Sequence, residues 1–303
     1  MKKLCLYIAV FLAYSALGQE SKKDTIRLFY LGGQSNMTGY GYNKDLPLNL
    51  KSINDVYIFQ GNAVEDNKVG GGLGLWQPLT AGQGVGFSSN GQQNKLSDRF
   101  GLELSFAKKI KEIYPNNKIA IIKYSRNGSS IDSIGTKNFG SWDADFNNES
   151  RKNQYDYFLE TVSNAFAYDD IDNNDVKDIL VPTGILWMQG ESDADKTLEI
   201  ANNYSNQLTK LMNLIKATFR SNNLPIVIGQ ISDSKNDVDG KVWTYCEIVQ
   251  AAQEQYVLKH KNSAIIKETN TYKYYDKWHY DSAGYIDLGY QFADKMKQIL
   301  KPN

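Results

Sequence analysis

Cysteine and histidine are scarce in this chain, which has only two of each among its 303 residues. Cys5 falls in the N-terminal segment; if that segment is removed, Cys246 has no partner, an intrachain disulfide is excluded, and stability has to come from core burial. The length suits one domain, or at most two. Net charge is missing as well: basic and acidic residues number 34 each, and basic runs such as Lys259-His260-Lys261 are too short to be more than a solvated face. That excludes a nucleic-acid surface. No apolar run is long enough to span a bilayer. The run over residues 4–17 follows Lys2 and Lys3 and ends in the small-residue stretch Ala16-Leu17-Gly18, which has the form of an export signal. The expectation is a signal peptide over residues 1–18 with cleavage after Gly18, and a mature domain over 19–303. The product would be periplasmic or secreted with no stable membrane anchor, because Cys5 lacks the residues that precede a lipid-anchored cysteine.

Aromatic side chains, in contrast, are plentiful at 12% of the chain, with twenty tyrosines. Such rings pack cores and also line sites that hold sugars. Short apolar runs alternate with segments of helical period, the order expected of a parallel sheet covered on both faces. Strands are predicted over residues 26–31, 56–59, 118–124, 184–188, 225–230 and 263–267. Helical stripes run through Leu102, Phe106, Ile110 and Ile113, through Tyr204, Leu208, Leu211 and Ile215, and through Tyr285, Leu288, Phe292, Met296 and Ile299. The result is a single three-layer α/β/α sandwich without internal repeats. Two polar stretches, residues 61–98 and 126–153, are too long for ordinary connectors and suit loops that shape a site.

The chemistry starts at Gly33-Gln34-Ser35-Asn36-Met37, where a predicted strand hands over to a helix. Such a turn exposes a serine hydroxyl beneath the free N–H groups that open the helix, a place where an oxyanion can be held; the same residues could equally serve to cap that helix. A nucleophilic serine needs a base. His260 ends a predicted helix over residues 243–259, with no sign of a pocket, so elimination selects His279 in Asp276-Lys277-Trp278-His279. Asp276, three residues earlier, can accept the Nδ1 proton and leave Nε2 to act; Glu191 or Asp193 could do the same. Gln189 in Trp187-Met188-Gln189-Gly190-Glu191 and Gly128 in Arg126-Asn127-Gly128-Ser129 each follow a predicted strand and are candidate oxyanion donors. Gln34, Asn36, Asn127 and Glu191 are possible supports. Tyr40, Tyr42, Trp76, Trp142 and Trp278 are candidates for a substrate-facing wall, with core packing as the alternative for each. Cys246, on an amphipathic helix, is a packed residue rather than a nucleophile.

At these blocks the chain resembles the SGNH hydrolase superfamily, and within it the sialate O-acetylesterase and family-six carbohydrate esterase group. The resemblance spans most of residues 27–300 and implies a flavodoxin-like parallel sheet, no metal or other cofactor, and hydrolysis of O-acetyl esters on a carbohydrate such as an acetylated plant polysaccharide or a sialylated glycan. It implies Ser35 as nucleophile, His279 as base, Asp276 as its orienter, and oxyanion donors from the Ser35 backbone, the Gly128 backbone and the Gln189 amide. Asn127-Gly128-Ser129 stands where the group often has Gly-Gly-Thr, and Gly101-Leu102-Glu103 where it often has Gly-Pro-Glu. Rival readings are a glycan-binding protein that keeps the fold without catalysis, an esterase of non-carbohydrate esters, and a glycosidase using Glu191 and Asp193. The last leaves the serine block unexplained.

Overall fold

The computed structural model describes residues 23–135, 139–146 and 152–300. The expected export segment and its cleavage point lie outside them. Seven strands form one sheet: β1 (Asp24–Gly33), β2 (Ser52–Gln60), β3 (Trp76–Thr80), β4 (Ile119–Ser125), β5 (Asp178–Met188), β6 (Ile226–Gly229) and β7 (Ser263–Ile266). Their order across the sheet is β7-β6-β5-β1-β4-β2-β3. Every neighbouring pair is parallel except β2 with β3. Taken without β2 and β3, the remaining five strands fall in the flavodoxin-like order 2-1-3-4-5.

Period-two alternation sends neighbouring side chains of β1 to opposite layers. Phe29 meets Phe106 of α2 (Glu103–Ile113) edge-on at 5.2 Å, whereas Tyr30 meets Phe158 of α3 (Gln154–Phe166) at 4.8 Å. α6 (Ser282–Ile299) joins α2, so closely that a Cβ on Gly289 would lie 2.3 Å from Leu102 O. α4 (Leu198–Thr218) and α5 (Cys246–Lys259) pack together, and Phe219, at the end of α4, lies tilted against Tyr30 on the α3 side. β4 is buried at all its positions, as a strand covered from both sides must be.

Differences from the sequence expectation have local causes. β5 begins at Asp178 rather than residue 184, because its first half alternates between exposed and half-buried positions after Asp178 and carries Pro182. Without an N–H, Pro182 sits where the register with β1 shifts between Leu28 and Phe29. β3 lies within the polar stretch 61–98. The part of that stretch before β3 meets α3: Asp66 accepts hydrogen bonds from Gln154 Nε2 at 2.6 Å and from the Ser141 N–H at 3.0 Å, tying the two long loops together.

Candidate active site

β1 reaches Ser35 through a turn that only glycine can make. Gly33 has φ +146°, and a Cβ there would stand 1.9 Å from Met188 O. The Gln34 N–H donates to Met188 O at 2.9 Å and the Arg126 N–H to Gly33 O at 3.1 Å, so the turn is bonded to both strands flanking β1. Ser35 then opens the single-turn helix α1 (Ser35–Thr38). The Met37 and Thr38 N–H groups both return to Gln34 O at 2.9 Å, whereas those of Ser35 and Asn36 have no acceptor among the described residues. Capping does not account for the serine, since no side chain caps this helix.

His279 comes to the same edge of the sheet, held by its own loop. Asp276 Oδ1 accepts from the N–H groups of Trp278 and His279, each at 2.7 Å, and Oδ2 lies 2.7 Å from His279 Nδ1. Burial raises the Asp276 carboxyl, but these bonds and the nearby imidazole outweigh it and hold the group below the usual carboxylate range. Burial also dominates at His279: it lowers the imidazole's affinity for a proton more than Asp276 restores it, so the ring is neutral near pH 7 with Nδ1–H turned to the carboxylate. Tyr40 lies flat on the ring, with centroids 3.6 Å apart and planes 6° from parallel. Asn127 Nδ2 donates to the Tyr40 hydroxyl at 2.9 Å.

The link between the serine turn and the histidine loop is Asn36. Its Nδ2 donates to Trp278 O at 3.2 Å, and its Oδ1 accepts from the Tyr280 N–H at 3.5 Å and from the Tyr285 hydroxyl at 2.8 Å. One side chain, adjacent to Ser35, thus clamps the backbone on both sides of His279. Glu191 Oε1 anchors the same amide at 2.8 Å. Burial pushes the Glu191 carboxyl up, the hydrogen bond from Asn36 opposing, and Oε2 has no partner among the described residues. Asn36→Ala should therefore lower kcat by about tenfold to a hundredfold, the loss expected for misplacement by about 1 Å, with a smaller change in KM. Steady-state kinetics checks this; an unchanged kcat would remove Asn36 from the site.

Gln34 builds the floor. Its Oε1 accepts from the N–H groups of Gly190 at 3.2 Å and Ser192 at 3.4 Å. Gln189 sits in that floor rather than at the mouth. Its Nε2 lies 2.5 Å from Asp193 Oδ2, 3.2 Å from Gln34 Oε1 and 3.3 Å from Ser129 O, which is more acceptors than its two hydrogens can serve. Asp193 is sealed in the interior, pushed up to about 7 by burial against the bonds from Gln189, Asp132 and Ile131. Neither Glu191 nor Asp193 touches the histidine, so Asp276 alone of the three orients it. Gly128 has φ +69°, accepts from Ser192 Oγ at 2.9 Å, and keeps its N–H without an acceptor among the described residues.

Two of the expected wall residues are elsewhere. Trp142 is fully buried, its Nε1 donating to Ser129 Oγ at 2.9 Å and its ring edge-on to Trp187 and Tyr124. Trp76 lies in β3 and donates to Ala165 O at 2.9 Å, beside α3. Each indole found a carbonyl or hydroxyl for its N–H, which made burial cheap. Trp278 and Tyr40 do stand beside His279, and Tyr42, over whose ring the Arg99 guanidinium lies at 3.5 Å, meets Tyr275 of the histidine loop. Arg99 and Tyr275, which the sequence reasoning missed, complete this surface: the Tyr42 hydroxyl donates to that of Tyr275 at 2.6 Å. Tyr275 directly precedes Asp276, and that adjacency was the one available signal. His260 packs on Tyr256 at the end of α5, and burial pushes the Cys246 thiol up to about 12.

Residues 25–298 match the family described as carbohydrate esterase, sialic acid-specific acetylesterase. The chain belongs to that family. As a sialic acid-specific acetylesterase family member it is a carboxylic ester hydrolase acting on acetylated carbohydrates. Its fold is shared with a protein from Arabidopsis thaliana at TM-score 0.63 and 18% identity, over 90% of this chain and 98% of that one. It is also shared with a carbohydrate acetylesterase from Xanthomonas citri at TM-score 0.61 and 17% identity, over 90% of this chain and 56% of that one. A third similar structure is NanS, at TM-score 0.57 and 15% identity, over 92% and 98% of the two chains. A sequence comparison with curated proteins gives no match.

Proposed function

We propose that this esterase works through an acetyl-enzyme on Ser35. Ser35 Oγ attacks the acetyl carbonyl carbon of the sugar ester while His279 Nε2 takes the hydroxyl proton. The developing oxyanion is met by the N–H groups of Ser35 and Gly128. Collapse of the tetrahedral intermediate breaks the bond to the sugar oxygen, which receives the proton from His279. Water then repeats the sequence with His279 as base and releases acetate. Gln189 could join the two backbone donors only by leaving Asp193, so here it acts from the floor.

The observation that carries this reading is the arrangement of Asp276, His279 and Asn36: a neutral, oriented imidazole locked to the turn that bears Ser35. No hydrogen bond joins Ser35 Oγ to His279 among the described residues, and in enzymes without bound substrate such contacts are often long. The half-exposed rings of Trp278 and Tyr275, with Tyr42 and Arg99, offer apolar faces and hydrogen-bond donors to a sugar. They define an open surface rather than a tunnel for an acyl chain. Passage of residues 1–18 through export and their removal completes the proposal, and places the substrate outside the cytoplasm.

The test is acetate release from acetylated xylan, xyloglucan, mannan and O-acetyl sialic acids, followed as a function of pH. Because the working form is neutral His279 and its folded-state pKa is lowered, kcat/KM should be flat near neutrality and fall only as pH drops through a midpoint below the ordinary histidine value of about 6.5. Longer acyl esters should turn over more slowly than acetyl. Sugar binding without acetate release would identify a binding protein instead, and an acid limb centred above 6.5 would contradict the neutral-base assignment.

A further inference from the structure

At the far end of the sheet from Ser35, about 30 Å away along ten-residue β1, lies a group of carboxylates the reaction does not use. The connection from α3 to β5 reads Asp169-Asp170-Ile171-Asp172-Asn173-Asn174-Asp175-Val176-Lys177-Asp178. Counting from Asp170, oxygen-bearing side chains fall at positions one, three and five (Asp170, Asp172 and Asn174) and again at nine (Asp178); the first three match the opening of an EF-hand calcium loop, whereas Asp175 and Val181 stand where that loop has glycine and glutamate. The fold closes the spacing into a cluster: Asp170, Asp172 and Asp178 each present a carboxylate oxygen, all within 4.8 Å of one another. That is the span of two oxygens each about 2.4 Å from one shared ion.

A second observation is independent of the clustering. Asp178 is 7% exposed and the Asp172 side chain 4% exposed, yet Oδ1 of each is shielded from water with no hydrogen-bond partner among the described residues. Their other oxygens are engaged, Asp178 Oδ2 by the Ile171 N–H at 2.7 Å and Asp172 Oδ2 by Lys118 Nζ. A buried carboxylate oxygen without a partner is costly, and a cation is the usual remedy. Lys118 does not suffice, because its single ammonium is shared between Asp172 and Asp24 and forms no ion pair with Asp170 or Asp178. Asp170 meanwhile holds the loop in shape, accepting from the N–H groups of Asn174 at 3.2 Å and Asp175 at 2.9 Å.

We propose that Asp170, Asp172 and Asp178 bind a calcium ion. The ion fastens the loop to the start of β5, and it acts on stability without touching the ester-hydrolysing site. The full chain, freed of metal with a chelator, should bind calcium in calorimetric titration with a Kd of about 10⁻⁴ M. Its Tm should rise by about 5–10 °C in about 10 mM calcium, while kcat at low temperature stays constant. Terbium in place of calcium should luminesce on excitation of tyrosine, because Tyr57 lies close enough to feel the charges of Asp172 and Asp178. The double variant Asp170→Asn/Asp172→Asn should bind at least tenfold more weakly. Lys118→Gln, which removes the competing positive charge, should bind more tightly and provides the test if the double variant does not fold. Absence of binding heat and of a Tm shift, an equal response to magnesium, an unaltered response in the double variant, or no tightening in Lys118→Gln would each overturn the assignment.

Discussion

Ser35→Ala and His279→Ala should each lower kcat/KM for acetate release by about 10⁴ to 10⁶, the loss typical when one member of a serine–histidine pair is removed. The fold should be indifferent to the first change. Ser35 Oγ makes no hydrogen bond to the described residues, so its loss orphans no buried group, and the Tm is expected to stay within about 2 °C. Asp276→Asn should cost about 10⁴ for a different reason. Asp276 Oδ1 already serves two N–H groups, which fixes the oxygen of an amide there and turns its NH₂ toward Nδ1. The imidazole would then carry its proton on Nε2, the atom that has to receive one. Turnover within tenfold of wild type in Ser35→Ala, measured on correctly folded protein, would place the nucleophile elsewhere.

The largest effect on stability is expected at Glu103→Ala. Glu103 and Lys123 are both fully buried and meet at 2.8 Å. Glu103 Oε1 also takes the Gly101 N–H at 2.9 Å, and Lys123 Nζ reaches Thr38 O and Gln83 O at 2.9 Å each. This pair therefore props the end of the short helix that begins with Ser35. Its removal leaves an ammonium with no counter-charge in the interior, at a cost of about 3–5 kcal/mol. That is roughly 6–20 °C in Tm for a domain of this size. Burial already lowers the Lys123 pKa against the pull of Glu103, and without Glu103 it should fall further. The folded variant then binds fewer protons than the unfolded chain, so its stability should recover as pH rises toward alkaline values. Denaturant unfolding at several pH values checks both points; a cost below about 1 kcal/mol would mean that the pair contributes little.

Six strands were legible because a parallel strand covered on both sides has to be apolar nearly throughout, and such runs stand out in polar surroundings. β3 was not, since it borders the sheet, has only Leu79 buried and pairs antiparallel. Three sequence blocks pointed to one rim, and Asn36 ties the turn bearing Ser35 to the loop in which Asp276 holds His279. The scarcity of histidine made that inference stronger than any motif. What stayed hidden was the direction in which long polar and aromatic side chains point. Trp142 went into the core and Trp76 lay half-buried against α3, each N–H finding an acceptor, and Gln189 turned to Asp193 because that buried carboxylate needs donors. The pairing of Glu103 with Lys123 depends on two elements meeting across the fold, and nothing in their separate neighbourhoods announces it.

β3 has a consequence for the behaviour of the chain in concentrated solution. As the outermost strand beyond β2 it would present a free row of amides to any second copy, yet it is five residues long and carries Pro78 at its centre. A ring nitrogen with no hydrogen interrupts the row, and the reversed direction spoils continuation of the parallel pattern. Ribbon-like growth from molecule to molecule is disfavoured on that flank.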